Sequence, residues 1–346
     1  MAIASPVFSV IMPVYNGARH VREAIASVMA QTLPSVELIA IDDGSNDDSA
    51  SILAEAAMAD ARIRVESREN RGVAATRNQG LAMARGEYVT FLDQDDILPP
   101  YALERLYGAF KLTGADAVSG KALDFYTLDG ARRFCEVPHA ATEPVEVKNP
   151  VENTLSPERP GVTNVRASVW ARGYRRAALS GLSFPDGVFG ADDWIFTMRV
   201  MLHVGRHAAL SDTVYLHRRH PDSVSSMLPM RYIIAMLDAV ETIVHEWCDD
   251  ARAVSREAFA KALSSHVQLW GMMLPALKRY SAEEERSLSQ TLGRLRSQGL
   301  VPFVSRGHAM RYFLVRHGLK SLLPVFWPRR FKNMSKARNN RAEEIG

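Results

Sequence analysis

Short apolar runs alternate with amphipathic segments over the first hundred residues. Four runs of β-branched, aromatic and aliphatic residues predict strands, at residues 8–12, 37–41, 63–66 and 88–92. Three segments between them carry apolar residues at helical spacing, at residues 19–31, 49–59 and 73–84. Strands that alternate with helices in this way predict an α/β fold, with a Rossmann-like, mostly parallel sheet flanked by helices.

The alternation continues less regularly to about residue 228. Further helices are predicted at residues 101–113, 169–182 and 192–204. Further strands are predicted at residues 117–120 and 213–216. Residues 134–159 are rich in proline, glutamate and threonine with weak periodicity, so they predict an irregular excursion.

Beyond residue 229 the pattern predicts helices only. Apolar residues recur there every three or four positions, as one buried helix face requires: Ile233, Leu237, Val240, Val244 and Trp247. We therefore expect an α/β unit at residues 1–228, with halves of about 1–100 and 101–228. An all-helical C-terminal extension would follow at residues 229–346, with the boundary at 226–229.

The composition is that of a soluble globular protein. Of the 346 residues, 47% are hydrophobic and 23% are charged. The two cysteines, Cys135 and Cys248, do not imply a disulfide framework and fit a reducing cytoplasm. The N-terminus lacks a charged leader before an apolar core, and no apolar run reaches the ~18 residues needed to cross a bilayer. These features predict a cytoplasmic protein.

The net charge of +3 conceals an asymmetry. Residues 305–341 hold ten Lys or Arg and no Asp or Glu, so the rest of the chain carries 32 basic and 39 acidic residues. Apolar residues such as Phe313, Leu319 and Trp327 are interspersed with these cations. Such a basic amphipathic tail favours peripheral contact with an anionic leaflet, the inner face of the cytoplasmic membrane. Packing on the protein or between two copies would explain it equally well, and no nucleic-acid-binding motif accompanies the charge.

Carboxylates cluster at three points, each at the end of a predicted strand or the start of a predicted helix. These groups are Asp42-Asp43, Asp93 to Asp96 and Asp192-Asp193. Two of the groups follow strands of one parallel sheet, so both should face a crevice at the carboxyl ends of the strands. Asp93 and Asp95 would point the same way in an extended segment, which suits a hard divalent cation. For this group alone, a solvated acidic turn is the alternative.

The residue types around these acids suit a nucleoside diphosphate. An aspartate can accept a hydrogen bond from a base, a tyrosine ring can stack on it, and a metal can bridge phosphates to carboxylates. Neither G-x-G-x-x-G nor G-x-x-x-x-G-K-[ST] is present, which argues against a nicotinamide dehydrogenase and a P-loop enzyme. The phosphates would therefore be held by a metal and by cationic side chains.

Three blocks in this order and spacing resemble the family 2 glycosyltransferases: S-V-I-M-P-V-Y-N-G, V-E-L-I-A-I-D-D-G-S-N-D and N-R-G-V-A-A-T-R-N-Q-G-L-A-M-A-R-G-E-Y-V-T-F-L-D-Q-D-D. The likeness continues through W-A-R-G-Y-R-R-A-A-L, F-P-D-G-V-F-G-A-D-D-W-I-F and Y-L-H-R-R-H-P-D-S-V-S, and covers roughly residues 7–226. The resemblance implies an inverting enzyme with the glycosyltransferase A-type fold, of the kind that builds bacterial surface polysaccharides.

The resemblance also implies a set of residues that bind a UDP-sugar donor. Pro13 and Tyr15 would lie along the nucleobase, Asp43 would accept from the uracil, and Arg218 would offset the charge of the diphosphate. The whole set is Pro13, Tyr15, Asn16, Asp43, Asn70, Arg71, Arg77, Asp93, Arg218 and His220. The first half of the unit would then bind the nucleotide and the second half the acceptor, a hydroxyl of a saccharide or a lipid-linked oligosaccharide.

A Mn²⁺ or Mg²⁺ ion and a general base complete what the resemblance implies. Asp95 would be the direct metal ligand, Asp93 would lie on the sugar–ribose side, and His220 would complete the metal shell. Asp193 corresponds to the base that deprotonates the acceptor hydroxyl. Asp192 beside it would raise one of the two pKa values by like-charge repulsion. The family usually has Glu-Asp at this place, so the Asp-Asp pair departs from its pattern.

Simpler roles are open for several of these residues. Tyr15 could be a turn aromatic packed on the sheet edge, and Arg77 could form a salt bridge to an aspartate, Asp43 or Asp93. The acidic pair at residues 192–193 could only cap its helix, and the histidines at 217–220 could belong to a surface loop. Three aromatic residues could either stack on an acceptor sugar or pack in the core: Trp170, Phe189 and Trp194.

Two other functions carry different expectations. A sugar nucleotidyltransferase would need a glycine-rich, cationic loop after the first strand, and residues 13–17 do not form one. A non-catalytic saccharide-binding module would keep the fold but not both acidic sites, and both are present. The oligomeric state is left open by the sequence.

Overall fold

The computed structural model describes residues 5–128, 131–134, 143–147, 168–188, 190–220, 230–248 and 281–297. Three expectations fall outside these residues: the boundary at 226–229, the aromatic Phe189 and the basic tail at 305–341. Within the described ranges, no helix is both long and apolar enough to cross a membrane.

Strands and helices alternate as the hydrophobic pattern predicts. The strands of the described residues are β1 (Phe8–Val14), β2 (Val36–Asp42), β3 (Ile63–Ser67), β4 (Tyr88–Phe91), β5 (Ala117–Leu128), β6 (Ala131–Phe134), β7 (Val145–Val147), β8 (Arg172–Arg175) and β9 (His207–Arg218). The helices are α1 (Val21–Met29), α2 (Ser49–Ala59), α3 (Val73–Met83), α4 (Ala102–Thr113), α5 (Asp192–His203), α6 (Met230–Cys248) and α7 (Ala282–Ser297). The first four strands and first three helices lie within two residues of their predicted bounds.

All of these strands belong to one sheet. Its order is β3-β2-β1-β4-β8-β5-β9-β7, with β6 paired to β5. β1 to β4 run parallel to one another, and β5 runs parallel to β9. The predicted α/β sheet flanked by helices is therefore confirmed, and its longest ladders are parallel. The carboxyl ends of β1, β2 and β4 meet at one edge, where the first two acidic loops begin.

The helix predicted at residues 169–182 is wrong. Residues 172–175 instead form β8, which inserts antiparallel between β4 and β5, and a 3₁₀ turn follows at Arg176–Leu179. A Cβ on Gly173 would lie 2.8 Å from the ring of Phe110, so a bare backbone is required where β8 passes under α4. Glycine is unfavourable inside a helix, and pairing with two central strands outweighs the local helical spacing.

The predicted loop at Pro13 begins too early, because β1 continues through Val14. Pro13 pairs in register with Ile41 of β2. Its nitrogen, which carries no hydrogen, faces the β4 side, where pairing ends at Ile11 opposite Phe91. Proline therefore removes no ladder hydrogen bond at this point.

Three strands in the second half also differ from the prediction. β5 and β9 each have 12 residues, and they are longer than predicted because they pair with each other as far as Phe125 opposite Arg218. β7 lies inside the segment predicted to be irregular, and it pairs antiparallel with β9. A three-residue strand carries too little periodicity to be seen in a sequence.

Two apolar layers cover the faces of the sheet. Along β1, Ile11 faces a layer that includes α5 and α6, whereas Val10 and Met12 face the layer of α1, α2 and α4, as the two-residue period of a strand requires. Leu237 of α6 is 3% exposed and belongs to the same buried cluster as Trp194 of α5. The first C-terminal helix therefore packs directly on the α/β unit, and the described parts of the extension are helical.

Candidate active site

Arg77 contacts two of the three acidic groups, Asp93 to Asp96 and Asp192-Asp193. Its Nη2 donates to Oδ1 of Asp93 at 2.9 Å, and its Nη1 donates to Oδ2 of Asp192 at 3.0 Å and to Asp193. Arg77 is only 4% exposed. Carboxylates from two distant parts of the chain therefore share one buried cation. The salt bridge to Asp93 is present, whereas Asp43 pairs with a different arginine.

Local packing brings Arg77 to this position. α3 can lie close to β1 because Gly80 has no side chain: a Cβ there would be 2.3 Å from Cγ2 of Ile11. Asn78, next to Arg77, donates to the carbonyl oxygen of Phe184 at 3.0 Å and accepts from its N–H at 2.8 Å. These two bonds tie the segment before α5 to α3. The Phe184 ring centre lies 5.5 Å from the guanidinium carbon of Arg77.

Burial and crowding shift the acids that surround Arg77. Burial raises the pKa of Asp193 well above its ordinary value of 3.8, and the charges of Asp192 and Asp93 raise it further against the opposing effect of Arg77. Burial and the charge of Asp95 raise the pKa of Asp93. A carboxylate with a raised pKa at a crevice is typical of a general base.

The acidic pair does more than cap α5. The residue before the helix is Ala191, whose side chain cannot accept a capping hydrogen bond. Asp192 and Asp193 occupy the first turn, at the positive end of the helix dipole. Their oxygens contact Arg77, which also contacts Asp93, so the acidic pair lies close to the Asp-x-Asp loop.

Asp95 and His220 form the opposite part of the site. Nε2 of His220 lies 2.9 Å from Oδ2 of Asp95, and both side chains are half-buried. Carboxylate oxygens with an imidazole suit Mn²⁺ or Mg²⁺. Burial raises the pKa of Asp96, and the charges of Asp95 and Asp93 raise it further. A bound cation would relieve this repulsion between the three carboxylates. Among the described residues, no three His, Cys, Asp or Glu side chains converge to hold an ion by themselves. The donor set fits an ion that takes its remaining ligands from a diphosphate.

Asp96 fixes the shape of the Asp-x-Asp loop. It is 1% exposed, and it accepts from the hydroxyl of Tyr215 at 2.6 Å and from the N–H of Arg218 at 2.7 Å. The Tyr215 hydroxyl in turn accepts from the N–H of Asp93 at 3.2 Å. Two residues of β9 therefore hold the loop, through the backbone N–H of Asp93 and through the buried carboxylate of Asp96.

Arg218 lies under the same loop and is 5% exposed. Its Nε donates to the carbonyl oxygen of Asp95 at 2.7 Å, its Nη1 donates to Oγ1 of Thr127 at 3.0 Å, and its Nη2 pairs with Glu23. The guanidinium also lies 4.7 Å from the ring centre of Phe125. These contacts join α1, β5 and the Asp-x-Asp loop, and contact of Arg218 with a diphosphate stays a prediction.

The loops after β1 and β2 lie at the same edge of the sheet as the Asp-x-Asp loop. Tyr15 is 45% exposed, so part of its side chain is accessible to a ligand. Its N–H donates to Oε1 of Gln94 at 2.8 Å, and Nε2 of Gln94 donates back to its carbonyl at 3.0 Å. Asn16 accepts from the N–H of Asn46 at 2.8 Å and donates its own N–H to Ser45 at 2.9 Å. Three loops at the sheet edge are thereby joined.

Asp43 anchors the loop that leads into α3. Its Oδ1 accepts from Nε of Arg68 at 2.8 Å and from the N–H of Arg71 at 3.0 Å, and its Oδ2 accepts from the N–H of Gly72 at 2.8 Å. Asp43 is 3% exposed, whereas Asn70 and Arg71 are exposed. The structure thus places these residues, with Pro13, at the same sheet edge. Their contact with a base stays a prediction.

The described aromatic residues have different environments. Trp194 is 3% exposed and packs in the core. Trp170 is half-buried and stacks on Tyr215 at 4.9 Å and on His217 at 5.3 Å between ring centres. His217 is fixed by Asp124, 2.9 Å from its Nδ1. Of the two tryptophans, Trp170 and Trp194, only Trp170 therefore retains surface that a sugar could contact.

Sequence reasoning missed five residues that hold the site: His20, Glu23, Arg68, Gln94 and Tyr215. Gln94 and Tyr215 lie inside blocks that carried the family resemblance, so their position gave a signal. Glu23 and His20 gave none, because their contacts with Arg218 and His220 join positions about 200 residues apart. Burial lowers the pKa of His20, and the neighbouring charges of Arg218 and His220 lower it further.

A sheet with an Asp-x-Asp loop at its carboxyl edge, joined through one buried arginine to a second acidic pair, is the arrangement of an A-type nucleotide-diphospho-sugar transferase. The family model for glycosyl transferase family 2 matches residues 9–180. Residues 9–180 therefore form a domain of this family.

Curated relatives agree with the assignment. EpsJ of Bacillus subtilis, an uncharacterized glycosyltransferase, is 30% identical over 224 residues, which are 64% of this chain and 64% of EpsJ. The succinoglycan biosynthesis protein ExoO of Rhizobium meliloti is 27% identical over 72% of this chain and 71% of its own length. The chain therefore spans somewhat less than two thirds of EpsJ.

Solved structures show the same fold. S. aureus TarS 1-349 in complex with UDP-GlcNAc has a TM-score of 0.65 and 24% identity, over 83% of this chain and 80% of TarS. The mannosyltransferase PcManGT from Pyrobaculum calidifontis, in complex with GDP-Man and Mn²⁺, has a TM-score of 0.54 and 18% identity, over 93% of this chain and 85% of PcManGT. At these identities the likeness establishes the A-type fold.

Proposed function

We propose that this chain is a metal-dependent, inverting glycosyltransferase that moves a sugar from a UDP-sugar to a hydroxyl of a saccharide. The acceptor would be a growing, lipid-linked saccharide in exopolysaccharide, capsule or lipopolysaccharide synthesis. Support for the pathway comes from ExoO, whose name assigns it to succinoglycan biosynthesis. Support for the donor comes from the TarS complex with UDP-GlcNAc.

The observation that carries the proposal is the position of Arg77. One guanidinium contacts Asp93 of the Asp-x-Asp loop and the acids that open α5. In this proposal the Asp-x-Asp loop would serve the donor and the acids that open α5 would serve the acceptor, and Arg77 contacts both. A transferred sugar could lie between them, with a leaving diphosphate on one side and a base on the other.

In this mechanism Asp193 accepts the proton of the acceptor hydroxyl as that oxygen attacks the anomeric carbon. Attack comes from the face opposite the diphosphate, so the anomeric centre inverts and no covalent enzyme intermediate is needed. The raised pKa of Asp193 makes it a stronger base than an ordinary carboxylate, and Asp192 and Arg77 hold its orientation.

Asp95, Asp93 and His220 would hold the divalent ion. When bound, Mn²⁺ or Mg²⁺ supplies a positive charge that stabilises the leaving diphosphate. Tyr15 would stack on the base with its exposed ring, and Asp43 would order the loop beside it. Asp96 and Tyr215 would keep the metal-binding loop in the required shape.

A panel of UDP- and GDP-sugars tests the proposal. We expect nucleoside diphosphate release from one UDP-sugar, loss of that release in EDTA and its recovery with Mn²⁺. Asp95→Asn should lose the metal-dependent rate, whereas Asp48→Asn, an exposed acid in the loop after β2, should keep it. Pyrophosphate production would indicate a nucleotidyltransferase. No release from any donor, with the nucleotide still bound, would indicate a binding module.

We also propose that the protein is cytoplasmic and bound peripherally to the inner face of the membrane. The motivation is the run of ten cations at residues 305–341, which lies outside the described residues. The full chain should pellet with anionic liposomes and less with neutral ones. Deletion of residues 318–346 should reduce that pelleting, and an unchanged pellet would exclude the tail as the membrane contact.

A further inference from the structure

His20 occupies a position where its residue type has no local advantage. It immediately precedes α1, with its carbonyl accepting from the N–H of Glu23 at 3.0 Å and its N–H donating to the carbonyl of Gly17 at 2.9 Å. Its side chain makes no capping hydrogen bond. Ser, Thr, Asp and Asn are the residues usually preferred at this position before a helix. Residues that break a local rule in this way often serve a site.

The side chain of His20 lies beside that of His220, which contacts Asp95. Its ring centre is 5.4 Å from that of His220, with 47° between the ring planes. Nε2 of His20 is buried and has no hydrogen-bond partner. Leaving a buried polar atom unsatisfied is unfavourable, so a ligand that meets this nitrogen would recover the loss.

The distance between the rings suits a shared ion. Two imidazoles that bind one metal at nitrogen–metal distances of about 2.0–2.1 Å have ring centres about 5 Å apart. His220 is already placed 2.9 Å from Oδ2 of Asp95. In the described residues the three side chains do not converge on one point. Binding of one ion by all three would therefore require the two rings to turn about their side-chain bonds.

We propose that His20 is a further ligand of the divalent ion held by Asp95 and His220. This inference rests on the proposed function, because that function supplies the ion. Two imidazole nitrogens beside the carboxylates of Asp93 and Asp95 make a site richer in nitrogen than Mg²⁺ prefers, whereas Mn²⁺ accepts both donor types. His20 would therefore make the site selective for Mn²⁺.

Titration of the donor-free full chain with Mn²⁺, followed by electron paramagnetic resonance, tests this assignment without any turnover. His20→Asn is the informative variant, because asparagine is a good helix cap and should keep or raise the thermal midpoint. We expect Mn²⁺ affinity to fall about tenfold or more, with a smaller change for Mg²⁺. The control is His203→Ala, which changes an exposed histidine at the last residue of α5. This variant should bind Mn²⁺ as the unchanged chain does.

Two outcomes would overturn the role of His20. One is Mn²⁺ affinity in His20→Asn equal to that of His203→Ala. The other is an unchanged Mn²⁺ affinity with weaker binding of UDP in EDTA, which would make His20 a phosphate contact instead. Neither outcome affects the proposed transfer reaction, which is judged separately by nucleoside diphosphate release from the donor panel.

Discussion

Replacing Asp193 with asparagine should lower the rate of sugar transfer by ~10²–10⁴ while leaving donor affinity nearly unchanged. Asparagine has the same shape and can still accept from Arg77, but it cannot take the proton of the acceptor hydroxyl. The measurement is the rate of UDP release with acceptor present, together with UDP-sugar binding by calorimetry. A variant that loses donor binding but keeps its turnover would remove Asp193 from the role of base.

Two matched variants separate this role from general damage. Asp186→Asn makes the same chemical change in the exposed turn before α5, and it should leave the rate unchanged. Asp192→Asn should slow transfer less than Asp193→Asn, because Asp192 is 3% exposed and acts by orienting Arg77 and its neighbour. If Asp192→Asn were the more damaging change, the two acids would exchange roles.

Replacing Arg77 with methionine should destabilise the fold by about 3–5 kcal/mol at pH 8. Methionine has a similar length but no charge, so three carboxylates lose the buried cation that they share. Urea unfolding followed by tryptophan fluorescence measures the loss. Transfer should fall as well, because the donor and acceptor sides lose their common contact.

The loss should shrink as the pH falls. Arg77 lowers the pKa of Asp193, so its removal raises that already elevated value further above the ordinary 3.8. A carboxyl whose pKa is higher folded than unfolded binds its proton more tightly in the folded state, so its contribution to stability is lost as pH rises through the folded pKa. The difference between Arg77→Met and the unchanged chain should therefore be larger at pH 8 than at pH 5.

Arg22→Met is the control for Arg77→Met. Arg22 pairs with Glu55 on the surface, where the two side chains are 63% and 53% exposed. Loss of an exposed pair should cost about 1 kcal/mol or less, with little dependence on pH between 5 and 8. Equal stability losses for the two variants would show that Arg77 has no special role in balancing the acids.

The first half of the fold could be read from the sequence because its local and global preferences agree. In β1 to β4 the apolar runs coincide with buried parallel strands, and the acids stand where strands end. β8 could not be read in this way, since Gly173 and its neighbours form a strand only when β4 and β5 are present on both sides. Tertiary pairing outweighed local spacing there.

The candidate site was predictable in its residue types but not in its connections. The acids at 93–96 and 192–193 predict a charged site, and a salt bridge of Arg77 to Asp93 was one alternative. Nothing local indicates that Arg77 also joins Asp192 and Asp193. The contacts of Arg218 with Glu23, and of His20 with His220, likewise join α1 to the end of β9. Such contacts depend on the completed sheet order, which a single sequence does not state.

The most direct test of the shared crevice is a crystal structure of the Asp193→Asn chain with a UDP-sugar and Mn²⁺. We expect the diphosphate beside Asp95 and His220, and the anomeric carbon between the diphosphate and residue 193, with that side chain on the opposite face of the sugar. A diphosphate bound away from Asp95, or residue 193 on the same face as the leaving group, would contradict the proposed arrangement.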